Sequence, residues 1–202
     1  AAENAHALAG EMIMVRKLDN PHLAGDDVPG FDRPLVDLLL GGGHDLAFGH
    51  YQGLRRSLAS TTRLGVLSFD AHFDLRPVDG GANSGTSFTQ IARHCRDAGR
   101  DLAYLCIGVQ KSANTVRLFR RADELGVEYV LARDVVEHRL DTVERTIDRF
   151  LERVDAVYVT LCADVISSAF APGVSATQPL GLHPETVLRL LKRALAGDKG
   201  VG

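Results

Sequence analysis

Arg63–Arg76 reads RLGVLSFDAHFDLR: an apolar run over Arg63–Phe69, then a segment in which Asp70, His72 and Asp74 alternate. The run is short and apolar at successive positions, the pattern of a strand covered on both faces. Alternate residues of an extended segment leave on one face. The spacing therefore predicts two carboxylates and an imidazole side by side just beyond a buried strand. Such a group repels itself and desolvates at high cost unless a cation sits among it. Mixed oxygen and nitrogen donors suit manganese or a similar borderline ion. The competing reading is a solvated loop with coincidental spacing, and the buried strand in front of it argues against that.

Similar apolar runs fall on either side of this stretch, at Leu35–Leu40, Leu102–Val109, Glu128–Leu131 and Ala156–Leu161. Between them Phe88–Ala98, Ala113–Leu125, Asp141–Val154 and His183–Leu195 repeat apolar residues at helical spacing, with Pro184 placed for a first helical turn. Strands alternating with helices predict an α/β fold: three layers, α/β/α, around a mostly parallel sheet. Arg16–Arg33 and the glycine-bearing stretches 79–87 and 171–182 read as loops. In open parallel sheets, sites form where the carboxyl ends of strands meet such loops.

The chain has 202 residues, 45% hydrophobic and 24% charged, with 23 Lys+Arg against 26 Asp+Glu for a net charge of −3. That balance gives no electrostatic case for nucleic acid or an acidic membrane surface. The apolar runs are too short to span a bilayer, and the N-terminal AAENAHALAGEM lacks the order of a signal peptide. Three cysteines without a CxxC pair make a disulfide framework unexpected and suit a reducing cytoplasm. No repeat or linker divides the chain, so a single domain is expected.

Two further segments carry chemistry. Gly41-Gly42-Gly43-His44-Asp45 follows a strand, where glycines let the backbone turn sharply; it lacks the lysine and spacing of a phosphate-binding loop. The alternative is a plain turn whose His44 caps or packs. Thr160–Val165 (TLCADV) ends another strand, with Cys162 and Asp164 on one face. Free cysteine is usually a small buried apolar group, whereas an unpaired buried carboxylate such as Asp164 is expensive. His50, on the helix after the first segment, reads as packed rather than ligating.

Taken together these segments resemble the arginase (ureohydrolase) family, with its Gly-Gly-x-His turn, Asp-Ala-His-x-Asp segment and late Asp-x-Asp strand followed by an Ala-Pro-Gly loop. Here they run in the same order as Gly41–His44, Asp70–Asp74 and Cys162–Gly173, across about Leu40 to Leu182. Within the family the resemblance is strongest to the formimidoylglutamase branch: Gly41–Asp45, Phe69–Arg76, Ser84–Phe88 and Ala171–Ala176 match its GGGH-acid, FDAHFDLR, SGT-x-F and APGVSA. Arginases normally place an aspartate before the motif histidine, and agmatinases a histidine where Ser84 stands.

The resemblance implies a manganese-dependent hydrolase of linear amidines with two Mn2+ per subunit. His44, Asp70, His72, Asp74 and Asp164 match its metal ligands, and Cys162 stands where an aspartate is usual. It implies hydrolysis of N-formimidoyl-L-glutamate to L-glutamate and formamide, in histidine degradation, by a metal-activated hydroxide, with Asp70 or Asp74 moving the proton. Arg76, Asn83, Ser84 and Thr86 are the candidates for holding substrate; for Arg76 the alternative is a structural salt bridge, and for the other three the shaping of their loop. A small-molecule substrate, a cytoplasmic location and a homo-oligomer are expected. The other readings are a different ureohydrolase, acting on agmatine, arginine or another guanidino compound, and a non-catalytic protein of the fold. Against the family the chain reads as incomplete at both ends: the opening strand and a later Asp-x-x-Glu segment are not found.

Overall fold

The computed structural model describes residues 12–17, 36–137 and 140–195. Its strands are β1 (Met12–Lys17), β2 (Val36–Gly41), β3 (Leu64–Phe69), β4 (Ala103–Val109), β5 (Glu128–Leu131) and β6 (Ala156–Cys162). They form one sheet in the order β2-β1-β6-β3-β4-β5. β6, β3, β4 and β5 pair in parallel, while β1 is antiparallel to both of its neighbours, β2 and β6. β2 consequently points the same way as the parallel strands.

β1 was not anticipated. The expected loop at Arg16–Arg33 begins inside it, since Arg16 and Lys17 pair with Tyr158 and Val36 among others; the remainder of that loop, and Leu35 of the first expected strand, lie outside the described residues. MIMVRK ends in two cations, Arg16 and Lys17, that read with the Pro-, Gly- and Asp-rich stretch after them, which hides the strand in the sequence. Its place is set by the hydrogen-bonding edges of β2 and β6.

The helices are α1 (Leu46–Ser57), α2 (Ser87–Asp97), α3 (Val116–Glu124), α4 (Ala132–Glu137), α5 (Leu140–Leu151) and α6 (Pro184–Leu195). α3 starts later than the apolar spacing suggests because Thr115 caps it, its hydroxyl accepting from Leu118 N at 3.4 Å. α4, a single short turn and a half after β5, has no sequence counterpart in the expectation.

Alternation along the strands divides the core in two. Val66, Tyr104, Cys106 and Tyr158 face one side, packed with Tyr51 and Leu54 of α1 and Phe88 and Ile91 of α2. Leu67, Phe69, Leu105, Ile107, Val157 and Val159 face the other, packed with Ile147 and Phe150 of α5 and Leu190 of α6. β3, with six residues, and β6, with seven, are buried along nearly their whole length and mostly apolar because each side is covered, which is the expected three-layer arrangement. The three cysteines are all free, as their number and spacing suggested.

Candidate metal centre

Parallel strands bring their carboxyl ends to one edge, and there the three motif segments meet. β3 and β6 are neighbours in register, with Phe69 opposite Leu161, so the residues after them emerge side by side. Asp70 follows β3, Cys162 ends β6, and Asp164 sits in a short 3-10 turn, Ala163–Val165. His44 arrives from the glycine turn after β2, one turn before α1.

The segment after β3 is not the extended ribbon its alternation predicts. Strand geometry stops at Phe69, and Asp74 takes a left-handed backbone, φ 49°. Aspartate tolerates that region better than most residues. Asp70 and His72 still converge, and the turn at Asp74 swings the third side chain back to join them. The loop is clamped from below by Asn114: its Oδ1 accepts from Phe73 N at 3.1 Å and its Nδ2 donates to Ala71 O at 2.8 Å.

His44 Nδ1 lies 2.8 Å from Asp70 Oδ2 and 2.9 Å from Asp74 Oδ2, and His72 Nδ1 lies 2.9 Å from Asp164 Oδ2 and 3.4 Å from Asp70 Oδ1. His44, Asp70 and Asp164 are 4%, 0% and 6% exposed. Burial disfavours an imidazolium, yet the carboxylates of Asp70 and Asp74 outweigh it and push His44 up to about 10; Asp164 and Asp70 do the same for His72, also to about 10. Burial and the charge of Asp70 hold the Asp74 carboxyl above its usual range. Burial raises the Cys162 thiol too, helped by Asp70 and Asp164. This is a pocket with a surplus of negative donors asking for positive charge.

The geometry of the donors fits a divalent cation. Close as they are, His44 Nδ1 and Asp70 Oδ2 do not meet in hydrogen-bond geometry, and both are buried without a hydrogen-bond partner. Two such atoms converging on one point are costly unless something cationic lies between them. The other ring nitrogen of His44 is 3.0 Å from Thr160 Oγ1, the arrangement that fixes a ligand histidine in one orientation. Two trios have ligand atoms within 4.8 Å of one another: His44, Asp70 and Cys162, and Asp70, His72 and Asp164. Asp70 belongs to both, so its two oxygens face two neighbouring positions.

The substrate candidates divide. Asn83 and Thr86 turn their polar groups into the 3-10 turn Ser84–Thr86: Asn83 Oδ1 accepts from Gly85 N at 3.0 Å, while Thr86 Oγ1 accepts from Asn83 N at 2.9 Å and donates to Asn83 O. Thr86 is fully buried. Their hydrogen bonding serves the loop, the second of the two roles expected for them. Arg76 and Ser84 are exposed. The Arg76 side chain lies over Gly85, so close that a Cβ there would stand 2.9 Å from its Cδ. Among the described residues no carboxylate pairs with Arg76. His50 packs edge-on against Tyr158, as expected of a non-ligand. Thr160 and Asn114, the residues that hold the site from behind, carry no motif in the sequence. Thr160 had one usable signal, a hydroxyl two positions before Cys162 on the same strand face.

The protein is thus of the three-layer α/β class that carries a buried His/Asp/Cys cluster at the carboxyl edge of its sheet. The chain belongs to the arginase family: the family's sequence model matches residues 16–202. It is 46% identical over 169 residues to a formimidoylglutamase of Clostridium tetani, covering 82% of this chain and 50% of that protein. In fold it is similar to the formimidoylglutamase of Bacillus subtilis, with a TM-score of 0.69 at 22% identity over 80% of this chain and 50% of that one. It is also similar to a formiminoglutamase of Trypanosoma cruzi whose structure was determined with Mn2+, with a TM-score of 0.64 at 19% identity, covering 80% and 53%. The chain spans about half the length of the curated relatives it matches.

Proposed function

We propose that this chain carries the centre of an amidine hydrolase that converts N-formimidoyl-L-glutamate to L-glutamate and formamide in histidine degradation. The observation that carries the reading is Asp70: one buried carboxylate shared by two donor trios, within a chain 46% identical to a formimidoylglutamase. His44, Asp70, Asp74 and Cys162 would hold one divalent ion, and Asp70, His72 and Asp164 the other. When bound, such a pair acidifies water and so supplies a nucleophile at neutral pH.

The chain's own residues account for the rest. Thr160 keeps the His44 ring turned so that Nδ1 faces the cluster. Asp74 moves the proton rather than Asp70, because its side chain is 11% exposed against 1% and so reaches the open side of the site. Water adds to the formimidoyl carbon, the bond to the glutamate nitrogen breaks, and Asp74 hands a proton to that departing amine. Arg76 and Ser84 bind the carboxylates of the glutamate half, a charge-assisted contact of the strong kind. Asn83 and Thr86 keep the loop in shape for them.

The chain forms one arginase-like catalytic domain that holds two divalent ions per subunit, Mn2+ among them, in a cytoplasmic homo-oligomer. No helix among the described residues is long and apolar enough to cross a membrane. The test is an assay of the manganese-loaded protein against formimidoylglutamate, arginine and agmatine. Release of formamide from the first, with no urea from the others, is expected; turnover of arginine or agmatine alone overturns the substrate assignment.

A further inference from the structure

The two donor trios are chemically unequal. Asp70, His72 and Asp164 offer oxygen and nitrogen alone, whereas His44, Asp70 and Cys162 include a sulfur. A lone thiol in such a place is ordinarily a small apolar group. Here it shares its cluster with two atoms, His44 Nδ1 and Asp70 Oδ2, that are buried and lack hydrogen-bond partners. Those atoms call for a cation; the sulfur beside them bears on which one. The other thiols point elsewhere: Cys106 Sγ reaches the His72 carbonyl at 3.5 Å, and Cys95 Sγ pairs with Tyr51 Oη at 3.3 Å. Cys162 is the thiol aimed into the cluster.

Thiolate favours zinc, cobalt and other thiophilic ions, while carboxylate and imidazole accommodate manganese. We propose that the centre is asymmetric: the His44–Asp70–Cys162 position takes a thiophilic divalent cation through the Cys162 sulfur, and the Asp70–His72–Asp164 position takes a harder ion such as Mn2+. This rests on the metal-centre reading above and narrows it to unequal positions. As the sulfur–metal bond forms, the S–H bond breaks and its proton passes to solvent; no oxidation state changes. Because Asp70 serves both positions, the two ions are held next to each other although their preferences differ.

The experiment is a Co2+ titration of the metal-free protein, followed optically, with Cys162→Ser and Cys162→Asp alongside. Visible ligand-field bands report that cobalt is bound at all; a near-ultraviolet sulfur-to-cobalt charge-transfer band reports the thiolate. The wild type is expected to show both, the charge-transfer band saturating at about one equivalent of cobalt for the single aimed thiol. Cys162→Ser keeps the ligand-field bands and loses the charge-transfer band, and Cys162→Asp loses the preference for Zn2+ over Mn2+ in competition. Ligand-field bands without charge transfer in the wild type overturn the sulfur ligand and leave the metal centre standing. Failure to bind cobalt in any form overturns both.

Discussion

His44 is held on both sides of its ring, by Thr160 Oγ1 at Nε2 and by two carboxylates near Nδ1. That makes Thr160 the residue whose loss should loosen the site without removing a ligand. Thr160→Val keeps the shape and deletes the hydroxyl, and Mn2+ titration calorimetry should then show affinity lower by roughly 10–100-fold, the usual effect of removing a group that orients a ligand. Unchanged affinity would mean that the packing of His44 against Phe88, ring centroids 5.1 Å apart, orients it alone. At this scale the sequence was informative about identity and poor about posture. All six cluster residues are visible in it because each sits in a short polar interruption after an apolar run. The left-handed turn at Asp74 depends on tertiary neighbours, which no spacing encodes, whereas the inward aim of Asn83 and Thr86 is a local capping box whose Asn-x-x-Thr spacing is in the sequence.

Among the elements, the end of β4 and the connection after it shape the site. Gly108 has φ 98° and interrupts the β4–β5 register, and a Cβ there would stand 2.2 Å from Val165 Cγ2, in the turn that carries Asp164. Gly108→Ala combines a disfavoured backbone with overpacking. Urea unfolding should show a loss of about 1–3 kcal/mol, and metal affinity should fall with it because Val165 is next to a ligand. A few residues on, Asn114 reaches back to both sides of the Asp70–Asp74 loop. Asn114→Ala leaves the buried Phe73 N–H without its acceptor and should cost about 1–3 kcal/mol in the same measurement. The strands covered on both faces were legible because parallel strands are continuously apolar. β1 and α4 were not, since β1 is placed by the edges it joins and α4 is too short to show a period.

For the molecule as a whole, the sheet places three sequence-distant segments at one edge, and a bound cation therefore fastens β2, β3 and β6 together. Ligand that binds only the folded chain stabilises it by about 2.7 kcal/mol at a hundred times its dissociation constant. For a chain of this size that corresponds to a rise in Tm of roughly 5–10 °C on Mn2+ loading, read by scanning calorimetry. Asp70→Asn should abolish the rise, because Asp70 belongs to both donor trios. Parallel topology was the most legible property of all: alternation of strand and helix settled the layers and predicted the edge on which the chemistry lies.

The buried cluster at that edge reads as a two-ion centre organised around Asp70. Metal analysis after loading with Mn2+ and Zn2+ and removal of free ion tests it most directly. About two divalent ions per chain are expected in the wild type, and a loss of both in Asp70→Asn; one ion or fewer per wild-type chain means that the two donor trios do not form a two-ion centre.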